Sequence, residues 1–267
     1  MTYMSRAAML IGVLLGSAPT VPAQLSTTLA PETSAAFDRY IAAAEPKILE
    51  QARGDTSLPL LGTQSIARVR GGELVMRGIS EQNGHPVPHG LIHDWVGGIF
   101  IPDATLEKVA PLLQDFDNHK RYYPEIIDSR LVEKNGSEAR GSWVMRKKKI
   151  ITVVLRAELD SLYKSVNASH GFVVSRSGPV VEIKDHGTPK QGQYPAGQGH
   201  GFLWKFNGYW TLHEADGGVY AECRVISLSR DVPTGLGWIV SPFVRSMPRE
   251  SLEATLRNTR EAVRKRG

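Results

Sequence analysis

The chain has 267 residues, 32 Lys and Arg against 27 Asp and Glu for a formal charge of +5, 41% hydrophobic residues and a single cysteine. That apolar share excludes wholesale disorder. One cysteine excludes an internal disulfide or a multi-cysteine zinc cluster, no apolar run reaches the roughly 18–20 residues of a membrane-spanning helix, and the mild positive surplus does not call for a nucleic-acid partner.

Residues 1–23 read as a secretory signal. Arg6 is the only charged side chain before the apolar run 7–16, Ser17, Ala18 and Pro19 break that run, and Val21-Pro22-Ala23 sets small residues where a signal peptidase cuts. The expectation is an exported protein, periplasmic or extracellular, whose mature chain starts at Gln24. Residues 24–34, rich in Ser, Thr, Ala and Pro, predict a flexible leader. Phe37, Tyr40, Ile41, Ala44, Ile48 and Leu49 recur at helical spacing, with Pro46 expected to bend or split the helix. Residues 53–66 read as loop and 73–79 as a short strand. Residues 24–90 are taken together as an N-terminal extension to a main domain over 91–267.

From residue 91 the pattern is regular. A strand over 91–101 leads to a helix over 104–115, capped by Asp103, with Leu106, Val109, Ala110, Leu113 and Phe116 on one stripe. A short helix over 118–123 follows. Strands are predicted over 126–133, 139–146, 150–163, 171–175 and 180–184, and Asn135-Gly136 marks a hairpin turn. Residues 186–201 are glycine-rich loop. Asn207-Gly208 and Asp216-Gly217 both read as tight turns, and the resulting register sets Trp210 against Cys223 and Leu212 against Ala221. The opposite face carries Thr211, His213, Glu222 and Arg224, and His213, Glu214, Glu222 and Arg224 read as a solvated cross-strand cluster; Phe202, Trp204 and Phe206 fall on this face too, which the register does not explain. After an apolar stretch, 234–244, a last helix is capped by Ser246, with Leu252, Leu256, Thr259 and Val263 facing inward.

This order of elements, with Asp115-Phe116-Asp117 and Tyr122-Tyr123-Pro124-Glu125 after the first helix of the domain, resembles the START-like superfamily, which includes birch-pollen-allergen-like, polyketide cyclase-like and coenzyme Q-binding proteins. Val232-Pro233-Thr234-Gly235-Leu236-Gly237-Trp238 followed by Pro248-Arg249-Glu250-Ser251-Leu252 is similar to the family's lead into its closing helix. The resemblance spans residues 91–265. It implies an α+β helix-grip fold: a curved antiparallel sheet wrapped around a long C-terminal helix, with a cavity between them for a hydrophobic small molecule such as a lipid, quinone, sterol or polyketide. The expected lining is Trp143, Met145, Leu155, Leu159, Trp210, Leu212, Val225, Leu252 and Leu256. Gly235, Gly237, Trp238 and Phe243 are the expected gate, with a transient membrane-surface contact there.

Neither a cofactor nor a metal is expected. His85, His89 and His93, with Asp94 beside the last, share a spacing of four, but Pro86 and Pro88 forbid a helical metal face, and they read as incidental histidines. No nucleophile elbow, phosphate loop or dinucleotide fingerprint occurs. Arg146-Lys147-Lys148-Lys149 is the densest basic run and reads as a solvated hairpin tip. A binding or transport role stands first. A cyclase- or hydrolase-type enzyme would need a His or an acid aimed into the cavity, which the register does not supply. A partner-binding domain would use the Phe202/Trp204/Phe206 stripe as its interface. Secretion from a bacterial host should yield a chain whose first residue, read by mass spectrometry, is Gln24; retention of residues 1–23 would remove the export reading.

Overall fold

The structure, a computed structural model, describes residues 25–79 and 84–266, so the expected signal segment lies outside the described residues. In chain order the elements are β1 (Thr27–Thr28), α1 (Pro31–Arg53), α2 (Ile66–Arg70), β2 (Val75–Gly78), β3 (His85–Val87), β4 (Gly90–Pro102), α3 (Leu106–Leu113), α4 (His119–Tyr122), β5 (Ile126–Asn135), β6 (Glu138–Lys148), β7 (Thr152–Asn167), β8 (His170–Ser177), β9 (Val181–Lys184), β10 (Gly192–Gln193), β11 (Gln198–Gly199), β12 (Lys205–Ala215), β13 (Gly218–Arg230), α5 (Gly237–Ser241) and α6 (Met247–Arg266). A π-helical turn, Pro242–Ser246, joins the last two. No helix among the described residues is long and apolar enough to cross a membrane.

One antiparallel sheet runs β5-β6-β7-β8-β12-β13-β4. β2 and β3 share the far side of β4, and β9 with β10 continues along the first part of β7. Strand alternation sorts the side chains between two faces. The inner face carries Ile99 and Ile101 of β4, Trp210 and Leu212 of β12, and Val219, Ala221 and Cys223 of β13. It packs against Val109 and Leu112 of α3, Ile239 and Val240 of α5, and Leu252 and Leu256 of α6. Trp210 pairs with Cys223 and Leu212 with Ala221, the register that period-two counting gives. This is a helix-grip fold of the α+β class.

The outer face is not solvated. Phe37 and Ile48 of α1, Leu58, Leu60, Leu61 and Val69 pack over Val96 and Phe100 of β4, Tyr209 of β12, and Tyr220 and Ile226 of β13, making a second core. Residues 53–66, read as loop, therefore contain buried leucines. The expected surface cluster is interior: Glu222 is 0% exposed, and its carboxylate accepts the backbone N–H groups of Leu60 (3.0 Å) and Leu61 (2.7 Å). Arg224 forks onto the buried Asp94 at 2.8 and 2.5 Å, and the Tyr40 hydroxyl of α1 donates to the same carboxylate at 2.8 Å. Tyr209 donates to Glu45 at 2.8 Å, and Arg176 also pairs with Glu45. Polar groups on this face are buried because the N-terminal segment brings them partners, as burial of charge requires.

Two glycines side by side in β4 show how close the two coverings come. A Cβ on Gly97 would lie 2.6 Å from Leu256 of α6, and one on Gly98 would lie 2.7 Å from Leu61. Any side chain at either position would push a covering layer away from the sheet.

Several local expectations are corrected by these contacts. Residues 25–30 are pinned: Leu25 is 1% exposed in the inner core, its carbonyl accepts from Arg230 Nη1 at 2.6 Å, and β1 pairs with β11. α1 is unbroken through Pro46. Asp103 has φ 59° and is not the cap of α3; that end is satisfied by Glu214 of β12, which accepts the Leu106 N–H at 2.7 Å. Asn207-Gly208 is not a turn, because β12 passes straight through it, and no break occurs at Ser246. With β12 starting at Lys205, the aromatic stripe divides: Phe202 and Phe206 join the inner core and Trp204 the outer one. It offers no exposed interface.

Burial lifts the Glu222 carboxyl to about 7, against the opposing pull of the Leu60 and Leu61 amides. A carboxyl raised in the folded state favours folding fully below its unfolded value, and that contribution is lost as pH rises through the folded value. Glu222→Gln should therefore gain stability relative to the parent as pH rises from 4.5 to 7, by up to about 3 kcal/mol. Denaturant titrations at several pH values test this; a difference that does not change with pH would show that Glu222 does not titrate there.

Candidate ligand cavity between the sheet and the closing helix

Between the inner face and the C-terminal helix the packing is incomplete. A cavity of about 190 Å³ lies between β6, β7, β12 and β13 on one side and α4, the π turn and α6 on the other. Odd-numbered positions of β6 face it: Trp143, Met145 and Lys147. Leu155 and Leu159 of β7, Phe206, Gly208 and Trp210 of β12, and Cys223 and Val225 of β13 continue the wall. Met247, Ser251, Leu252 and Thr255 close it from the helix, and Phe116, His119 and Tyr123 from the α3–α4 region. Aromatic stacking stiffens two walls: Phe202 lies on Phe243 at 4.2 Å and 8°, and Trp143 on Phe206 at 6.2 Å and 15°.

The opening is a consequence of sequence at Gly208. It sits between Phe206 and Trp210 on the same face, and a Cβ added there would meet no atom within 4 Å. Any larger residue would begin to fill the space. An engineered apolar cavity of about 150 Å³ stays dry and takes up a benzene-sized guest, so this space suits an aromatic or aliphatic group somewhat larger than benzene.

Several polar groups on the wall are held by partners in the protein. His119 is 1% exposed and both ring nitrogens are engaged: Trp143 Nε1 donates to Nδ1 at 2.9 Å, and Nε2 faces the Leu112 carbonyl at 3.1 Å. An indole N–H only donates and a carbonyl only accepts, so the partners fix the ring as neutral with its proton on Nε2. The Tyr123 hydroxyl pairs with Thr259 at 3.0 Å. The Cys223 thiol is fully buried, and desolvation raises its pKa well above the ordinary value, which suits an inert thiol rather than a nucleophile. The charged side chains on the wall are Lys147 and Glu125, which form an ion pair, and Lys147 Nζ also donates to Ser251 Oγ at 2.7 Å. Desolvation lowers the Lys147 pKa, partly offset by Glu125.

Of the nine residues expected to line a cavity, Trp143, Met145, Leu155, Leu159, Trp210, Val225 and Leu252 do so. Leu212 and Leu256 lie instead in solid core, each 0% exposed, Leu256 pressed against Gly97. Of the expected gate, Phe243 reaches the cavity. Gly235 lies in the preceding loop with φ 80°, Gly237 opens α5, and Trp238 points outward at 66% exposure. The three spaced histidines do not converge: His85 is on β3, His89 sits in the β3–β4 turn beside Glu32, and His93 is buried against Ser229 at 3.1 Å. Among the described residues no three His, Cys, Asp or Glu side chains cluster to hold a metal ion.

Sequence reading missed Lys147, His119, Phe116 and Gly208. The signal for Lys147 was present, since the alternation that turns Trp143 and Met145 inward includes it; its place in a basic run made it look like surface. Gly208 was hidden by its dipeptide, which imitates a turn.

No family model and no curated protein matches the chain. Solved structures with a similar path include a STAR-related lipid transfer protein fragment from Xanthomonas axonopodis, at 16% identity over 73% of this chain and 99% of that one, with a TM-score of 0.46. The Zhui aromatase/cyclase from a Streptomyces species is similar at 10% identity over 66% and 95%, TM-score 0.45, and a START superfamily protein from Mycobacterium smegmatis at 11% over 73% and 100%, TM-score 0.41. These likenesses are too distant to speak to what the chain holds. What its own geometry defines is a helix-grip protein with an apolar cavity beneath its closing helix.

Proposed function

We propose that this protein binds and carries a hydrophobic small molecule in the cavity between sheet and closing helix. The observation that carries the reading is the cavity itself: about 190 Å³, walled by aromatic and aliphatic side chains and left open at Gly208. Burial of apolar ligand surface there supplies the affinity, at roughly 25 cal/mol per Å² before the costs of association. The wall's imidazole, His119, is held on both nitrogens, which supports a binding role over acid–base chemistry.

The test uses 2-isopropenylnaphthalene, an apolar probe of matching size, in equilibrium dialysis. One probe per chain should bind. Gly208→Leu should weaken binding by about tenfold or more without lowering the unfolding midpoint, because the new side chain fills space and replaces a strand glycine. Absence of saturable binding by the parent chain would overturn the reading.

The proposal extends to location and exchange. Residues 1–23 would direct export, and the exposed Trp238 would touch a membrane surface while ligand transfers. Support for the contact is the polarity of α5, where Ile239 and Val240 are buried while Trp238 is 66% exposed. Trp238→Ser is expected to reduce co-sedimentation with phosphatidylcholine/phosphatidylglycerol vesicles several-fold and leave probe affinity unchanged. Equal sedimentation would remove the membrane contact and leave the cavity reading intact.

A further inference from the structure

Lys147 is an expensive residue to place where it is. Its side chain is 9% exposed, on a wall that it shares with Trp143, Met145, Val153 and Leu252. An ammonium taken out of water must have its protons answered. Glu125 takes one and Ser251 Oγ a second, at 2.7 Å. Among the described residues no partner takes the third, and the side chain lines the cavity.

We infer that Lys147 reads the polar end of the ligand, and that this ligand is a neutral hydrophobic molecule bearing a carbonyl acceptor, of the ketone, ester or quinone type. The inference rests on the cavity-binding reading and adds the ligand's head chemistry to it. Charge decides between acceptors. Lys147 and Glu125 already neutralise each other, so a carboxylate ligand would bring an uncompensated negative charge into the cavity beside Glu125. A pure hydrocarbon would strip water from the third ammonium proton and give it nothing. A carbonyl oxygen accepts that proton, adds no charge, and makes the stronger, charge-assisted kind of hydrogen bond. Glu125 is 41% exposed, which places this polar end at the rim and leaves the apolar body of the ligand to the aromatic walls.

The experiment compares three probes of one shape on the full chain by equilibrium dialysis: 2-acetylnaphthalene, 2-isopropenylnaphthalene, in which carbon replaces the carbonyl oxygen, and 2-naphthoate. In the parent chain 2-naphthoate should bind weakest. Lys147→Met should lower affinity for 2-acetylnaphthalene about tenfold, the worth of one charge-assisted hydrogen bond, and raise that for 2-isopropenylnaphthalene, which no longer strips water from an ammonium proton. Glu125→Gln, which leaves the ammonium unneutralised, should make 2-naphthoate the tightest of the three. This second variant and the parent ranking keep the inference testable should Lys147→Met not fold.

Equal losses for both neutral probes in Lys147→Met would overturn the inference and leave the cavity reading standing. So would 2-naphthoate ranking first in the parent chain. Failure of the parent to bind 2-isopropenylnaphthalene overturns the cavity reading itself, and is distinguishable because it precedes any comparison of head groups.

Discussion

A sheet with buried carboxylates on one face must be covered there by something that brings hydrogen-bond donors. Glu222 and Asp94 set that requirement, since both are 0% exposed. The chain meets it with its N-terminal segment, whose Leu60 and Leu61 amides and Tyr40 hydroxyl reach those carboxylates. The wider arrangement depends on this. With the outer face covered by α1 and the leucines after it, the inner face is covered by α3, α5 and the C-terminal helix. Between the sheet and the closing helix the packing leaves residual space, and that space is the cavity.

The two coverings are coupled through β4. Gly97 and Gly98 let Leu256 and Leu61 approach the same strand from opposite sides. The cavity opens farther along, between β6, β7, β12 and α6, where Gly208 withholds a side chain. The space and the close contact are thus two ends of one packing arrangement. Polar satisfaction decides what the walls can do. His119, Tyr123 and Cys223 are answered within the protein or desolvated, and Lys147 is held by Glu125 and Ser251 on the cavity wall.

Much of the fold was legible because strands in a one-sided apolar pattern announce their register. Trp210 opposite Cys223 and Leu212 opposite Ala221 follow from the Asp216-Gly217 turn and a period of two. Trp143, Met145, Leu155 and Leu159, expected as lining from the resemblance, face the cavity. Local signals failed where a distant segment supplied the partner. Asp103 was read as a cap, but Glu214 satisfies α3 from another strand. Residues 24–34 looked like a leader, but Leu25 is held in the core by Arg230. Polar alternation on β13 looked like a wet face, because nothing local shows that α1 and the leucines after it lie on top.

The sequence by itself determined most of the long strands, the apolar inner face of β12 and β13, and that one amphipathic helix closes the chain, since these depend on periodicities of two and 3.6 that neighbouring residues carry. Only the tertiary structure decided that the polar face is buried, that Leu212 and Leu256 fill core while Lys147 lines a cavity, and that Gly208 holds the cavity open. Those outcomes depend on the distance between a curved sheet and the layers on either side of it, and on contacts between residues as far apart as Leu60 and Glu222, which local periodicity does not encode.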